Sequence, residues 1–266
     1  MDLKVREART VINFLEVIQD YSPTLGWIFR GQGDESWPLL PKAGRPEFYN
    51  PDWDIKRNEE VQNGKPHPRP PQDLGRFNGW RKEAVAYAQS LPSNDFESLA
   101  YAQHYGLATR LLDWTENPLA ALYFVAASHH DVNGAVHAYF GTAHVDVETA
   151  KLGILDRIAV YTPRPIDRRV LAQAAVFTYH PEPQIPLTPN LLEVDYAEAG
   201  PDGLDLVKIV IPFDMKHIIV RHLAELGMSR KSLFPDLEGL SAYVNWRTTW
   251  VDYSKKRMAE LRKARA

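Results

Sequence analysis

The chain has 266 residues, 44% apolar and 24% charged, with a formal net charge of −3 and no cysteine. These values fit a globular chain around one large core, exclude disulfides and cysteine-ligated zinc, and provide no global pull toward a polyanion. No run of about 18 apolar residues is present to span a bilayer, and the start MDLKVREART lacks the apolar centre of a signal peptide, so a cytoplasmic protein without membrane contact is expected.

Residues 8–20 repeat apolar side chains at Val11, Phe14, Leu15 and Ile18, the spacing of an amphipathic helix, which leads into a strand at WIFRG, residues 27–31. Arg30 sits at the end of that strand. A guanidinium there needs an anionic partner, either Asp34 or Glu35 on the next turn or a ligand. Residues 41–74 are rich in proline, asparagine and charge and predict a surface insertion or lid. Phe77, Trp80, Ala84 and Ala88 resume helical spacing, and Phe96, Leu99 and Ala100 continue it in a second helix that Gly106 would end.

TRLLDWT predicts a short strand, followed by a helix with Asn117 as its cap and Pro118 at its first position. GAVHAYFG, AVFTYH and LVKIVIP predict three further strands. From Asp214 the chain returns to helix, one segment ending near Gly227 and another running from about Asp236 toward Trp250. The mixture lacks a strict βαβ rhythm, so the expected class is α+β, a mixed central sheet flanked by helices in a single domain over residues 1–266. A basic helix at 252–266 would carry Lys255, Lys256, Arg257, Arg262, Lys263 and Arg265 against Glu260, either as a solvated end or as a track for a phosphate backbone.

The densest polar passage is residues 96–127, where His104, Tyr105, Thr109, Arg110, Asp113, Trp114 and Thr115 crowd a helix–strand–helix connection. Two accounts fit. In one, Arg110 and Asp113 form a buried ion pair and Thr115 caps the next helix. In the other, the amides of the helix starting at Asn117 join Arg30 around a phosphate or other anion. The histidines at 129, 130, 137 and 144 lack the i, i+4 spacing of a helical metal site, and His217 and His222 are five apart, so no metal is expected. The chain has no GxxxxGK[ST] loop, HExxH or GxSxG elbow, which excludes P-loop, zincin and α/β-hydrolase chemistry.

FRGQ at 29–32, AQHYGLATRLLDWTENPLAALYFVAA at 102–127, LAQAAVF at 171–177 and LFPDLEGL at 233–240 together resemble the FRG domain family, named for its Phe-Arg-Gly signature. The layout also resembles ADP-ribosyltransferases, including the DarT-type toxins that modify DNA. That resemblance implies an ADP-ribosyltransferase-like fold and an enzyme using NAD as substrate to modify a nucleic acid or protein in a bacterial toxin or phage-defence system. It implies NAD contacts from Arg30, Gln32, His104, Arg110, Thr115, Tyr123 and Gln173, with Tyr123 as a stacking face for nicotinamide. The family pattern places a catalytic glutamate in its third motif, where LAQAAVF offers only Gln173. Glu238 is the remaining candidate to act with Arg30, unless it merely caps a helix. Tyr123 likewise fits a core-facing helix position. The missing glutamate leaves a non-catalytic nucleotide or nucleic-acid binding module as the alternative, and a scaffold protein whose residues 96–127 are only core as a third.

Overall fold

The computed structural model describes residues 3–21, 26–66, 68–165, 167–190 and 203–249; the basic helix expected at 252–266 lies outside them. Seven strands form one mixed sheet: β1 (Lys4–Glu7), β2 (Trp27–Gln32), β3 (Leu111–Thr115), β4 (Gly134–Phe140), β5 (Ala159–Tyr161), β6 (Ala175–Tyr179) and β7 (Leu206–Ile211), in the order β1-β7-β4-β2-β3-β6-β5. Only the β1–β7 pair among them is parallel. The class is α+β, as the alternating patterns predicted. Strands β1 and β5 were not visible in the sequence, because runs of four and three residues are too short to show a period.

Two groups of helices cover one face of the sheet. The first comprises α1 (Val11–Gln19), α5 (Pro118–Ala126) and α7 (Lys216–Glu225). Phe14, Ile18, Leu122, Ile219 and Leu223 from these helices pack onto Trp27, Phe29, Val136, Ala138, Val207 and Ile209. The second comprises α3 (Gln72–Ala84) and α4 (Asp95–His104), whose Phe77, Phe96 and Leu99 meet Leu111, Tyr161, Phe177 and Tyr179. Along β3, side chains alternate, so Leu111, Asp113 and Thr115 share this face. Leu111 is covered by the second group, while Asp113 has a side chain that is 63% exposed. The seam between the helix groups therefore runs over Asp113. On the opposite face Ile28, Leu112, Trp114, Tyr139 and Val176 are covered by Leu39 and Leu187 from connecting segments.

Between residues 41 and 74 lies α2 (Pro51–Gln62), started by the Asn50 side chain accepting from the Asp52 amide and burying none of its residues. The segment's ends are anchored: Ala43 is buried, and Asp73 and Leu74 enter the core at the start of α3. Also among the described residues are α6 (Arg168–Ala172), α8 (Arg230–Leu233) and a helix over 237–249. Among the described residues no helix is long and apolar enough to cross a membrane.

A candidate anion and nucleotide cleft

Strands β2 and β4 pair along the whole of β2, from Trp27↔Phe140 to Gln32↔Ala135. On its other side β2 pairs with β3 at Phe29↔Thr115 alone. Beyond that point the two strands part, and the Arg30 guanidinium fills the opening by donating from Nη1 to the Asp113 carbonyl at 2.7 Å. The Asp113 carboxylate stands 3.8 Å from the same nitrogen. Neither Asp34 nor Glu35 is the partner: Asp34 caps Ser36, and Glu35 pairs with Lys208 at 3.4 Å. A half-exposed ion pair contributes about 0–1 kcal/mol, too little to account for a guanidinium that is only 14% exposed. Burial pushes its pKa down, opposed by Asp113, and its Nε has no partner among the described residues. A buried donor left unpaired is uncommon in folded proteins.

A cavity of about 480 Å³ opens at this wedge, lined among others by Arg30, Gln32, Trp37, Arg45, Asp113 and Phe124, with Thr115, Ser128, His129 and Gln173 also in its wall. Arg45 adds a second, exposed cation. The indole of Trp37 is 44% exposed and meets the His129 ring edge-on at 4.8 Å. Gln32 is 5% exposed and donates to the Pro38 carbonyl at 3.3 Å, while its Oε1 lacks a partner among the described residues. Thr115 Oγ1 donates to the Gln173 carbonyl at 2.5 Å and accepts from the Asn117 amide, so its hydroxyl fixes the wall rather than facing it. The buried Lys216 ties the rim together by donating to the carbonyls of Gly33, Ser128 and His129 at 2.6, 3.1 and 2.8 Å. That lysine gave no warning in the sequence, where it reads as one polar position of an amphipathic helix.

The structure divides the predicted site residues. Arg30, Gln32, Thr115 and Gln173 share this cavity. His104 lies in an adjoining cavity of about 240 Å³ that shares Asp113, Gln173 and Ala175 with the first. Arg110 lines neither. It is 1% exposed and pairs in bidentate fashion with Asp73, at 2.7 Å for both bonds, not with Asp113. Arg110 stands just before β3, and its guanidinium is already held by Asp73 of α3 and by the Tyr179 hydroxyl. Tyr123 lines a separate cavity with His130, Arg230 and Trp246, and its neighbour Phe124 lines the cavity that holds Arg30. Consecutive helical residues point about 100° apart, and α5 is apolar all round, so no stripe marked which aromatic would face the cleft. The amides of Leu119 and Ala120 at the start of α5 are taken by the Asn117 side chain. The cleft is lined by Phe124 and Ser128 near the other end of that helix, so the expected amide cradle for phosphate is not part of it. Glu238 is 73% exposed and stands 3.6 Å from both Arg169 and Arg230, outside either cavity. Asp113, read in the sequence as an ion-pair partner, is the carboxylate the two cavities share.

Residues 26–134 match the family model of the FRG domain. The match covers less than half of the chain. The matched span holds both cations of the cleft and Asp113, Thr115 and Phe124. Gln173 and Glu238 lie outside it. The Phe-Arg-Gly signature now has a structural meaning: Phe29 is core, Arg30 plugs the strand wedge and Gly31 lets α5 approach, a Cβ there falling 2.0 Å from the Ala121 carbonyl oxygen. No curated protein and no solved structure matches the chain.

Two buried histidines of the sheet, each within reach of the Arg30 charge, are expected to make its stability pH-dependent. His137 faces Arg30 across the β2–β4 ladder and is 3% exposed; His180 is 1% exposed and bonds Thr178 at 2.9 Å. Burial first, then the charges of Lys208 and Arg30 on His137 and of Arg30 and Arg110 on His180, push both pKa values down to about 3. Both rings are neutral in the folded protein, whereas in the unfolded chain they titrate near 6.5. Below pH 6.5 the unfolded chain therefore takes up protons that the folded chain refuses, and stability falls as pH drops toward 3, with no contribution above. Between pH 7 and 5 the expected loss is about 2 kcal/mol per histidine. Urea melts of wild type and His180→Gln at both pH values check this; an equal pH dependence in the two proteins would refute it.

Proposed function

We propose that the cleft binds NAD and that the protein transfers its ADP-ribose to an acceptor, as an ADP-ribosyltransferase-like enzyme of a bacterial toxin or phage-defence system. The observation that carries this reading is the convergence of two arginines, two aromatic rings and one carboxylate on a single cavity. Arg30 and Arg45 suit a pyrophosphate, for which a planar fork of donors is the matching geometry. Trp37 and Phe124 offer faces for a nucleobase or nicotinamide ring. Gln32 Oε1 is an unclaimed acceptor for a ribose hydroxyl or the carboxamide of nicotinamide.

Asp113 fills the part that the family pattern gives to a glutamate. Its Oδ1 accepts from Gln103 Nε2 at 2.8 Å, which holds the carboxylate in place beside the shared opening of the two cavities. In this role it stabilises the positive charge that develops on the ribose as the bond to nicotinamide breaks. Arg169 and Arg230 already engage Glu238, which leaves that residue a peripheral role.

Calorimetric titration with NAD tests the reading. Wild type should bind. Arg45→Ala, an exposed substitution, should weaken binding about tenfold, and Arg30→Ala by about 10–100-fold, the worth of one charge-assisted hydrogen bond. No heat with wild type, or equal affinity in all three proteins, would sink it. The exposed position of Glu238 favours a second reading, a nucleotide-binding module without catalysis, for which NAD would bind and release no nicotinamide.

A further inference from the structure

We propose that the adjoining cavity is the acceptor lobe of the site, built for a hydroxyl nucleophile, with His104 as its general base and Asp167 as the residue that orients the base. This rests on the NAD reading of the larger cavity and adds the chemical class of the second substrate.

The two cavities share Asp113, Gln173 and Ala175, so a group held in one reaches the carboxylate that serves the other. The smaller cavity adds Gln103 and His104 from α4, Pro163, Arg169 and Val170, and the ring of Phe234. His104 Nε2 lies 2.8 Å from Asp167 Oδ2. Asp167 is itself immobilised, because its Oδ1 caps α6 by accepting from the amides of Arg169 at 2.5 Å and Val170 at 3.2 Å. An ionised carboxylate only accepts, so a neutral imidazole in this contact carries its proton on Nε2 and its lone pair on Nδ1. That is the base–orienter arrangement of hydrolytic triads, here without an internal nucleophile. His104 remains partly open, its side chain 24% exposed, as a base meeting an incoming substrate must be.

The other charged residues lining that cavity are Asp113 on β3 and Arg169 on α6, and Tyr105 stands edge-on to the His104 ring at 5.2 Å. Arg169 is held by Asp236 at 2.7 Å and faces Glu238 at 3.6 Å, so it is largely neutralised.

The step balances without a further reactant. The acceptor hydroxyl gives its proton to His104 Nδ1 and its oxygen forms a bond to the anomeric carbon of the ribose that bears nicotinamide. The bond from that carbon to the ring nitrogen breaks, its electron pair neutralising the pyridinium, and nicotinamide leaves. His104 then returns the proton to solvent. Asp113 faces the ribose from the other cavity throughout. An amine acceptor, already nucleophilic once deprotonated by solvent, has less need of such a dyad.

The test uses NAD with water as the probe acceptor. Nicotinamide release is followed by chromatography from pH 5 to 9, and NAD affinity by calorimetry, for wild type, His104→Ala, His104→Gln and Asp167→Asn. Both His104 variants should bind NAD within about threefold of wild type, release nicotinamide about 100-fold more slowly, and lose the rise of rate with pH that a histidine base imposes. Asp167→Asn, which keeps an oxygen for the helix cap, should lose about tenfold with the pH profile displaced. NAD binding with unchanged release in the His104 variants would overturn the base assignment and leave the NAD reading intact. Binding without release by wild type at any pH would also overturn it. Absence of NAD binding would remove both.

Discussion

Replacing Asp73 by alanine is expected to destabilise the protein by about 3–5 kcal/mol, the cost of leaving a buried charge unpaired. Arg110 is the largest fully buried side chain, and Asp73, itself 5% exposed, accepts from both its Nε and Nη2. The same guanidinium donates to the Tyr179 hydroxyl at 3.0 Å and the Pro181 carbonyl at 3.1 Å, so most of its donors are used within the protein. Removing the carboxylate strands that charge between α3, β3 and β6. Urea denaturation should show the loss as a lower midpoint. Asp73→Asn, which keeps one acceptor, should lose less, and the double change Asp73→Leu with Arg110→Met should recover most of it, since an apolar pair of similar volume needs no desolvation of charge. A loss below about 1 kcal/mol in Asp73→Ala would mean that water reaches Arg110.

Gly31→Ala is expected to cost about 3 kcal/mol or more and to weaken NAD binding as well. The added Cβ would meet the Ala121 carbonyl oxygen at 2.0 Å, its carbon at 3.0 Å and Val125 Cγ2 at 3.1 Å. The first contact is backbone inside α5, which cannot turn aside as a side chain could, so strand and helix must separate. Phe124 and Ser128, which ride on and just beyond that helix, would leave the cleft wall with it. Gly79→Ala is the control: a Cβ there meets nothing within 4 Å and lies inside α3, so a gain of about 1 kcal/mol from helix propensity is expected. Equal thermal stability of the two variants would refute the close-approach account of the signature glycine.

Much of the fold was legible because its signals are local. Asn117 and Pro118 announce the start of α5, and Asn117 does accept from the amides two and three positions on. Of the four residues that carry a helical period, Val11, Phe14 and Ile18 are buried in α1, while Leu15 is exposed. The β-branched run LVKIVI is buried on both sides of β7, as a strand inside a sheet must be. The candidate site was legible in part for the same reason. Arg30 could be singled out because a charge ending an apolar strand is costly whatever surrounds it. Its neighbours in space could not be named. Trp37 and Arg45 sit in or beside a segment without periodicity, and the choice between Tyr123 and Phe124 depends on which way one turn of an all-apolar helix faces.

The amino-acid sequence by itself determined where α5 begins, that β2, β3, β4, β6 and β7 are strands, and that Arg30 requires an unusual environment. These follow from chemistry within a few positions along the chain. Tertiary structure alone decided that Arg110 pairs with Asp73, 37 positions away, that Arg30 reaches Asp113 across 83, and that Glu238 stays outside the cleft. The physical reason is that an ion pair or a cavity wall depends on distance in space, and the parting of β2 from β3 that opens the cleft is set by how two groups of helices share one sheet.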